Sequence, residues 1–149
     1  MKGDTSHDPE PVAGLNEFPG IPLEYVQVLR SRGIVQAARL LEATRTAEHL
    51  GRLAADTGIP AGRLEEIRGL CELTRVPTVG PVLSRVLYYS GIRSVRALAA
   101  ESQESLRKKL AGVGKTYPEA AASLGDEELL RCLQQAGAII DGNRGGEQA

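Results

Sequence analysis

Apolar residues along this chain recur three and four positions apart in short bursts, separated by Gly, Pro, Ser and Thr. That spacing predicts helices with one buried stripe, and no run alternates as a half-buried strand would. The punctuation bounds each burst. Pro22 opens LEYVQVLRSR and Gly33 closes it; Pro81 and Gly91 bracket VLSRVLYYS in the same way. Proline suits a first helical turn because no N–H is needed there, and glycine takes the left-handed stop. Ser94 is placed to cap VRALAA, Ser102 to cap QESLRKKL and Asp126 to cap EELLRCLQQA, with Glu104 and Lys108 paired four apart. Further helices are expected over QAARLLEA, AEHLGRLAAD and GRLEEIRGLCELTR. Residues 1–16 and 141–149 lack periodic apolar positions and are expected to be disordered tails on one domain spanning 17–140.

The matching ends of two helices invite a search for a repeat. At an offset of 58 residues, FPGIPLEYVQVLRSRGI overlays VPTVGPVLSRVLYYSGI, pairing Pro19 with Pro77, Ile21 with Val79, Leu29 with Leu87, Gly33 with Gly91 and Ile34 with Ile92. Leu40 then meets Leu98. The expected fold is all-α: two related units, 18–75 and 76–138, packed as one helical domain.

Each unit has the form apolar-Pro-x-apolar-Gly/Pro, followed by an apolar-faced helix that ends in Gly-Ile. This resembles the helix-hairpin-helix motif. Together with TGIPAGRLEEIRGLCELTRVPTVGP and SGIRSVRALAAESQESLRKKL, it is similar to an uncharacterised, mainly bacterial tandem helix-hairpin-helix family known as a domain of unknown function (number 4332), over roughly residues 18–137. The resemblance implies a compact helical body and a link to nucleic acid or to protein assemblies. Hairpins of the wider motif hold a DNA phosphate with backbone N–H groups and the positive end of the next helix, without reading bases.

Measured against that requirement, the first hairpin is poor, since Pro19 and Pro22 have no N–H and Glu24 repels phosphate. The second keeps donors at Thr78, Val79 and Gly80, with Arg75, Arg85, Arg93 and Arg96 near in sequence. A third stretch, AGVGKT at 111–116, looks like the end of a nucleotide-binding loop, but Lys109 occupies the place of its first glycine and a charged helix precedes it instead of a strand. It fits a hairpin better. Gly112, Gly114 and Lys115, with Arg107, Lys108 and Lys109 alongside, form the strongest nucleic-acid candidate; the competing reading is an ordinary glycine-containing connection.

The net charge of −1 conceals an uneven distribution: residues 63–115 carry ten Lys/Arg against five Asp/Glu, and the segments on either side are acidic. A basic middle is compatible with a polyanionic partner. Ser84, Arg85 and Tyr88 share one helix face; with Val82, Val86 and Tyr89 turned inward, that face would be open to a partner. Glu65-Glu66 and Asp126-Glu127-Glu128 read as helix-start acids that stabilise exposed N–H groups, not as catalytic pairs. His49 has no nucleophile or orienting group in a motif, and reads as a surface histidine. Cys71 and Cys132 have no metal-ligand spacing and read as two reduced, buried thiols. Gly51 and Gly69 fall inside expected helices and suggest close helix packing. No stretch has the length of a signal peptide or a membrane span, so a cytoplasmic protein is expected. The function expected is a non-enzymatic binding or adaptor module for an unidentified protein partner, with no cofactor, metal or small-molecule substrate. Sequence-independent DNA or RNA binding is the alternative.

Overall fold

The computed structural model describes residues 11–113 and 124–148. Among these residues it is all-helical, with eight α-helices and no strand: α1 Leu23–Ser31, α2 Ala37–Ala43, α3 Ala47–Thr57, α4 Ala61–Leu73, α5 Pro81–Tyr89, α6 Val95–Ala99, α7 Gln103–Val113 and α8 Asp126–Gln148. A 3-10 turn, Leu15–Glu17, precedes α1.

Helices α1 and α5 begin and end at equivalent positions when offset by 58 residues. Their C-termini close with the same bonds. Gly33 takes φ 80° and Gly91 φ 97°; the Ile34 N–H donates to the Leu29 carbonyl at 2.9 Å, and the Ile92 N–H to that of Leu87 at 2.9 Å. The bonds from Gly33 to Arg30 and from Gly91 to Tyr88 complete two Schellman stops. Leu29, Leu87 and Ile92 are fully buried, and Ile34 nearly so, so each stop also folds the chain back onto its own core.

Helix starts follow local chemistry. Thr46 Oγ1 accepts the His49 N–H at 3.1 Å, and Ser94 Oγ accepts the Ala97 N–H at 3.0 Å. Ser102 and Ser105 exchange bonds between each side chain and the other's backbone N–H, at 3.0 and 3.1 Å. Asp126 does not cap α8 but lies inside its first turn. The Gly125 N–H turns instead to Glu128 Oε1 at 3.0 Å.

Two boundaries differ from expectation. From Pro11 onward the chain is folded: Ala37 donates to the Ala13 carbonyl at 2.9 Å, Leu15 to that of Val35 at 2.9 Å, and Ala38 to that of Pro11 at 3.2 Å. Leu15 is buried in the core. These are main-chain bonds of an extended segment, which leave no periodic signature in the side chains. The other boundary is the C-terminal one, where α8 continues to Gln148 and not to the edge of the domain near 140.

The apolar interior is divided. Phe18, Leu29, Ile34, Leu40, Ile59 and Leu64 belong to a first cluster that ends with Cys71. Leu73, Val76, Leu87, Ile92, Leu98 and Leu106 belong to a second, which continues through Leu129 and Cys132 on α8. Burial of each such Leu or Ile contributes about 1.5–3 kcal/mol, so each half has its own driving force. Tyr88 packs against both clusters. It does so where α4, buried at Leu64, Ile67, Leu70, Cys71 and Leu73, packs on α5.

Candidate partner-binding surfaces

At the first hairpin, Gly20 has φ 89°, and a Cβ there would stand 1.9 Å from Arg85 Nη1. Arg85 reaches across from α5, donates to the Pro19 carbonyl at 3.2 Å and lies 4.7 Å from the Tyr89 ring centroid. Arg85 thus ties this hairpin to the second half of the molecule across Gly20, which stays exposed and whose missing side chain leaves room for the guanidinium.

In the second hairpin the Thr78 N–H donates to Gln135 Oε1 on α8 at 2.9 Å, and the Val79 N–H to the Val76 carbonyl at 2.8 Å. Of the three expected donors, two are thus engaged internally. Gly80 is exposed and serves as the N-cap of α5.

The third candidate is changed more. Gly112 lies within α7 and not in a hairpin, because the helix started by Ser102 runs on to Val113. Gly114 and Lys115 lie outside the described residues. The cations on α7 have acidic neighbours: Arg107 with Asp126 at 2.7 Å, Lys108 with Glu104 at 3.7 Å, and Lys109 with Glu101 at 2.5 Å. The Lys109 ammonium, with the Ser105 hydroxyl, holds the Glu101 carboxyl below its usual range.

Ser84, Arg85 and Tyr88 do not form an open face: Arg85 and Tyr88 reach the first half of the chain, and Ser84 is buried. Ser84 is fully buried and donates to the Pro81 carbonyl at 2.8 Å. The Arg93 guanidinium carbon lies 4.9 Å from the Tyr88 ring centroid, and the Tyr88 and Tyr89 rings meet edge to face at 5.5 Å. Burial raises the Tyr88 pKa, and the hydrogen bond that the Tyr89 hydroxyl donates to Glu66 raises that of Tyr89. Val86 is buried as expected, but Val82 and Tyr89 are left outward on α5, the reverse of their expected orientation. The reason is that α5 packs on α4 as well as on α7, so it is covered from two sides. Glu65 and Glu66 lie well inside α4 and not at its start, since that helix begins at Ala61.

A feature not anticipated is an open cleft of ≈ 610 Å³ beside α2 and α4. Arg39, Glu42 and Arg45 line it from the α2 side, and Arg68, Glu72 and Arg75 from the α4 side. Arg68 and Glu72 are four apart on one stripe of α4, and Arg75 follows just past its C-cap; that spacing is the signal in the sequence that could have found it. Arg68 Nε donates to the Thr44 carbonyl at 3.2 Å, Arg39 pairs with Glu42 at 2.6 Å and Arg75 with Glu72 at 3.7 Å. Glu72 also accepts the Val95 N–H at 3.1 Å, fixing that wall to the second half.

One protein-family model, described as a domain of unknown function (DUF4332), matches residues 19–138. The chain belongs to this family. No curated protein and no solved structure matches it. The DUF4332 span takes in most of both apolar clusters, leaving out Leu15, Phe18 and Ile139, together with the cleft's α2 and α4 walls. No described helix of this DUF4332 protein is long and apolar enough to cross a membrane. Cys71 and Cys132 are buried in different clusters; burial pushes both thiols up, that of Cys132 to about 11.

Proposed function

We propose that this DUF4332 protein is a non-enzymatic binding module of two tandem helix-hairpin-helix units, and that it mediates protein–protein interaction within a larger assembly. The two-unit reading is supported by equivalent bounds and stops of α1 and α5 and by one apolar cluster per half. The observation that carries the functional reading is the bond from the Thr78 N–H to Gln135 Oε1. A hairpin adapted to phosphate keeps its N–H groups open; here the donor is used to seat α8 on the second unit. The reach of Arg85 across the first hairpin to the Pro19 carbonyl points the same way. In this reading the hairpins are structural joints, and recognition falls to the outer helix surfaces.

Two measurements test it together. A photo-crosslinking residue is placed in the native cell at exposed positions such as Arg45, Val82 and Leu130, and purified protein is titrated into labelled duplex and single-stranded DNA at low and physiological salt. The expected result is a discrete protein adduct from at least one position, with no salt-sensitive DNA binding. DNA binding that weakens with salt and with Lys115→Glu, and no protein adduct, would establish the nucleic-acid alternative instead.

A further inference from the structure

We infer that the cleft beside α2 and α4 is a docking site for an acidic peptide segment of a protein partner, a proposal that rests on the binding-module reading above. Its walls carry four arginines against two glutamates, within a space of ≈ 610 Å³. The surplus is positive, and the arginines differ in how they are held. Arg68 is fixed by its Nε bond to the Thr44 carbonyl, which uses one of the five guanidinium donors and orients the group at the cleft. Arg45 is exposed and has no ion-pair partner among the described residues. Guanidinium groups placed in this way match carboxylates in two-pronged geometry.

The carboxylates decide which polyanion fits. Glu42 and Glu72 lie among the arginines, and Glu72 is held in place by both Arg75 and the Val95 N–H. A nucleic-acid backbone, with one charge per nucleotide and no donors on its phosphates, would meet repulsion at both. A peptide alternates carboxylates with amide N–H groups, and can place acids at Arg45 and Arg68 and donors at Glu42 and Glu72. Pro11, Ala38 and Leu41 add apolar lining that suits small side chains between the acids.

Fluorescence anisotropy on the full chain tests this. The probes are a short labelled peptide alternating glutamate and alanine, its glutamine counterpart, and an oligothymidylate of equal charge. The expected result is binding of the glutamate peptide at low salt, little of the glutamine peptide, and weaker binding of the oligonucleotide. Arg45→Glu should weaken the peptide at least about tenfold, the scale of one reversed charge-assisted contact. The same change at Arg131, outside the cleft, should leave binding within about twofold. Because the Arg45 side chain is exposed, an unchanged melting temperature certifies the fold of the variant, and Arg68→Gln gives a second reading. Equal binding of peptide and oligonucleotide, insensitivity to Arg45→Glu and Arg68→Gln, or no binding at all would overturn the proposal. Protein adducts in the crosslinking experiment would in that case preserve the binding-module reading, whereas their absence as well would remove both.

Discussion

The ring of Tyr88 fills the space that a side chain at Gly69 would occupy: a Cβ on Gly69 would stand 2.6 Å from Cε2 of that ring and 3.4 Å from the Arg93 carbonyl oxygen. Two helices from different halves meet here, and the glycine permits the approach. By contrast Gly51, in the middle of α3, has nothing within 4 Å of its Cβ position. The two glycines therefore respond oppositely to alanine. Gly51→Ala should stabilise by about 0.5–1 kcal/mol through helix propensity alone. Gly69→Ala should destabilise by roughly 1 kcal/mol net, because displacing a packed ring costs about 1–3 kcal/mol against that same gain. Urea denaturation of both variants checks the pair.

The left-handed stops should be equally unforgiving. Gly33→Ala and Gly91→Ala place a Cβ at φ 80° and 97° and are expected to cost about 1–2 kcal/mol each. Neither position has a neighbour within 4 Å, so the cost is one of backbone conformation and not of crowding. Similar losses for the two, measured by thermal denaturation, would reflect their equivalent places in α1 and α5.

The Thr78–Gln135 bond predicts a loss that a simple packing account does not. Gln135→Leu keeps the side-chain bulk but leaves the half-buried Thr78 N–H without its acceptor. About 1–3 kcal/mol should be lost, and Gln135→Glu, which retains an acceptor, should lose less. Faster amide exchange at Thr78 in the leucine variant would locate the effect.

Acid should weaken the contact of α7 with the segment before it. The Lys109 ammonium lowers the proton affinity of Glu101 in the folded state. The stability from this pair is therefore complete above the ordinary carboxylate range and is lost as pH falls through the depressed folded value. Lys109→Met should flatten the acid limb of a stability-versus-pH curve.

Tyr89 works in the opposite direction. Its bond to Glu66 raises its pKa above that of a free phenol, so its contribution is complete below the ordinary tyrosine value and is lost as pH rises through the raised one. A spectrophotometric titration should show late-ionising tyrosine that moves toward the ordinary value in Glu66→Gln.

Local signals in the chain were sufficient wherever a structure closes within a few residues. Gly33 and Gly91 ended their helices, Ser94 and Ser102 began theirs, and the Leu29–Ile34 and Leu87–Ile92 pairs were visible at a fixed offset, because caps, stops and one apolar stripe are all short-range requirements. The extended run from Pro11 was not visible, since its hold on the chain before α2 is made by the main chain.

What only tertiary structure decided is which surfaces survive assembly. The sequence by itself determined an all-helical chain and the residue types available to each face. It could not show that α4 would pack on Tyr88 at Gly69, that Arg85 would reach the Pro19 carbonyl, or that Gln135 would take the Thr78 donor across 57 positions of chain. Nor could it bring Arg45 and Arg68 to the same cleft. Helical periodicity specifies how wide a buried stripe is, whereas the partner of that stripe depends on how the helices stack, and that is settled by packing between residues far apart in sequence.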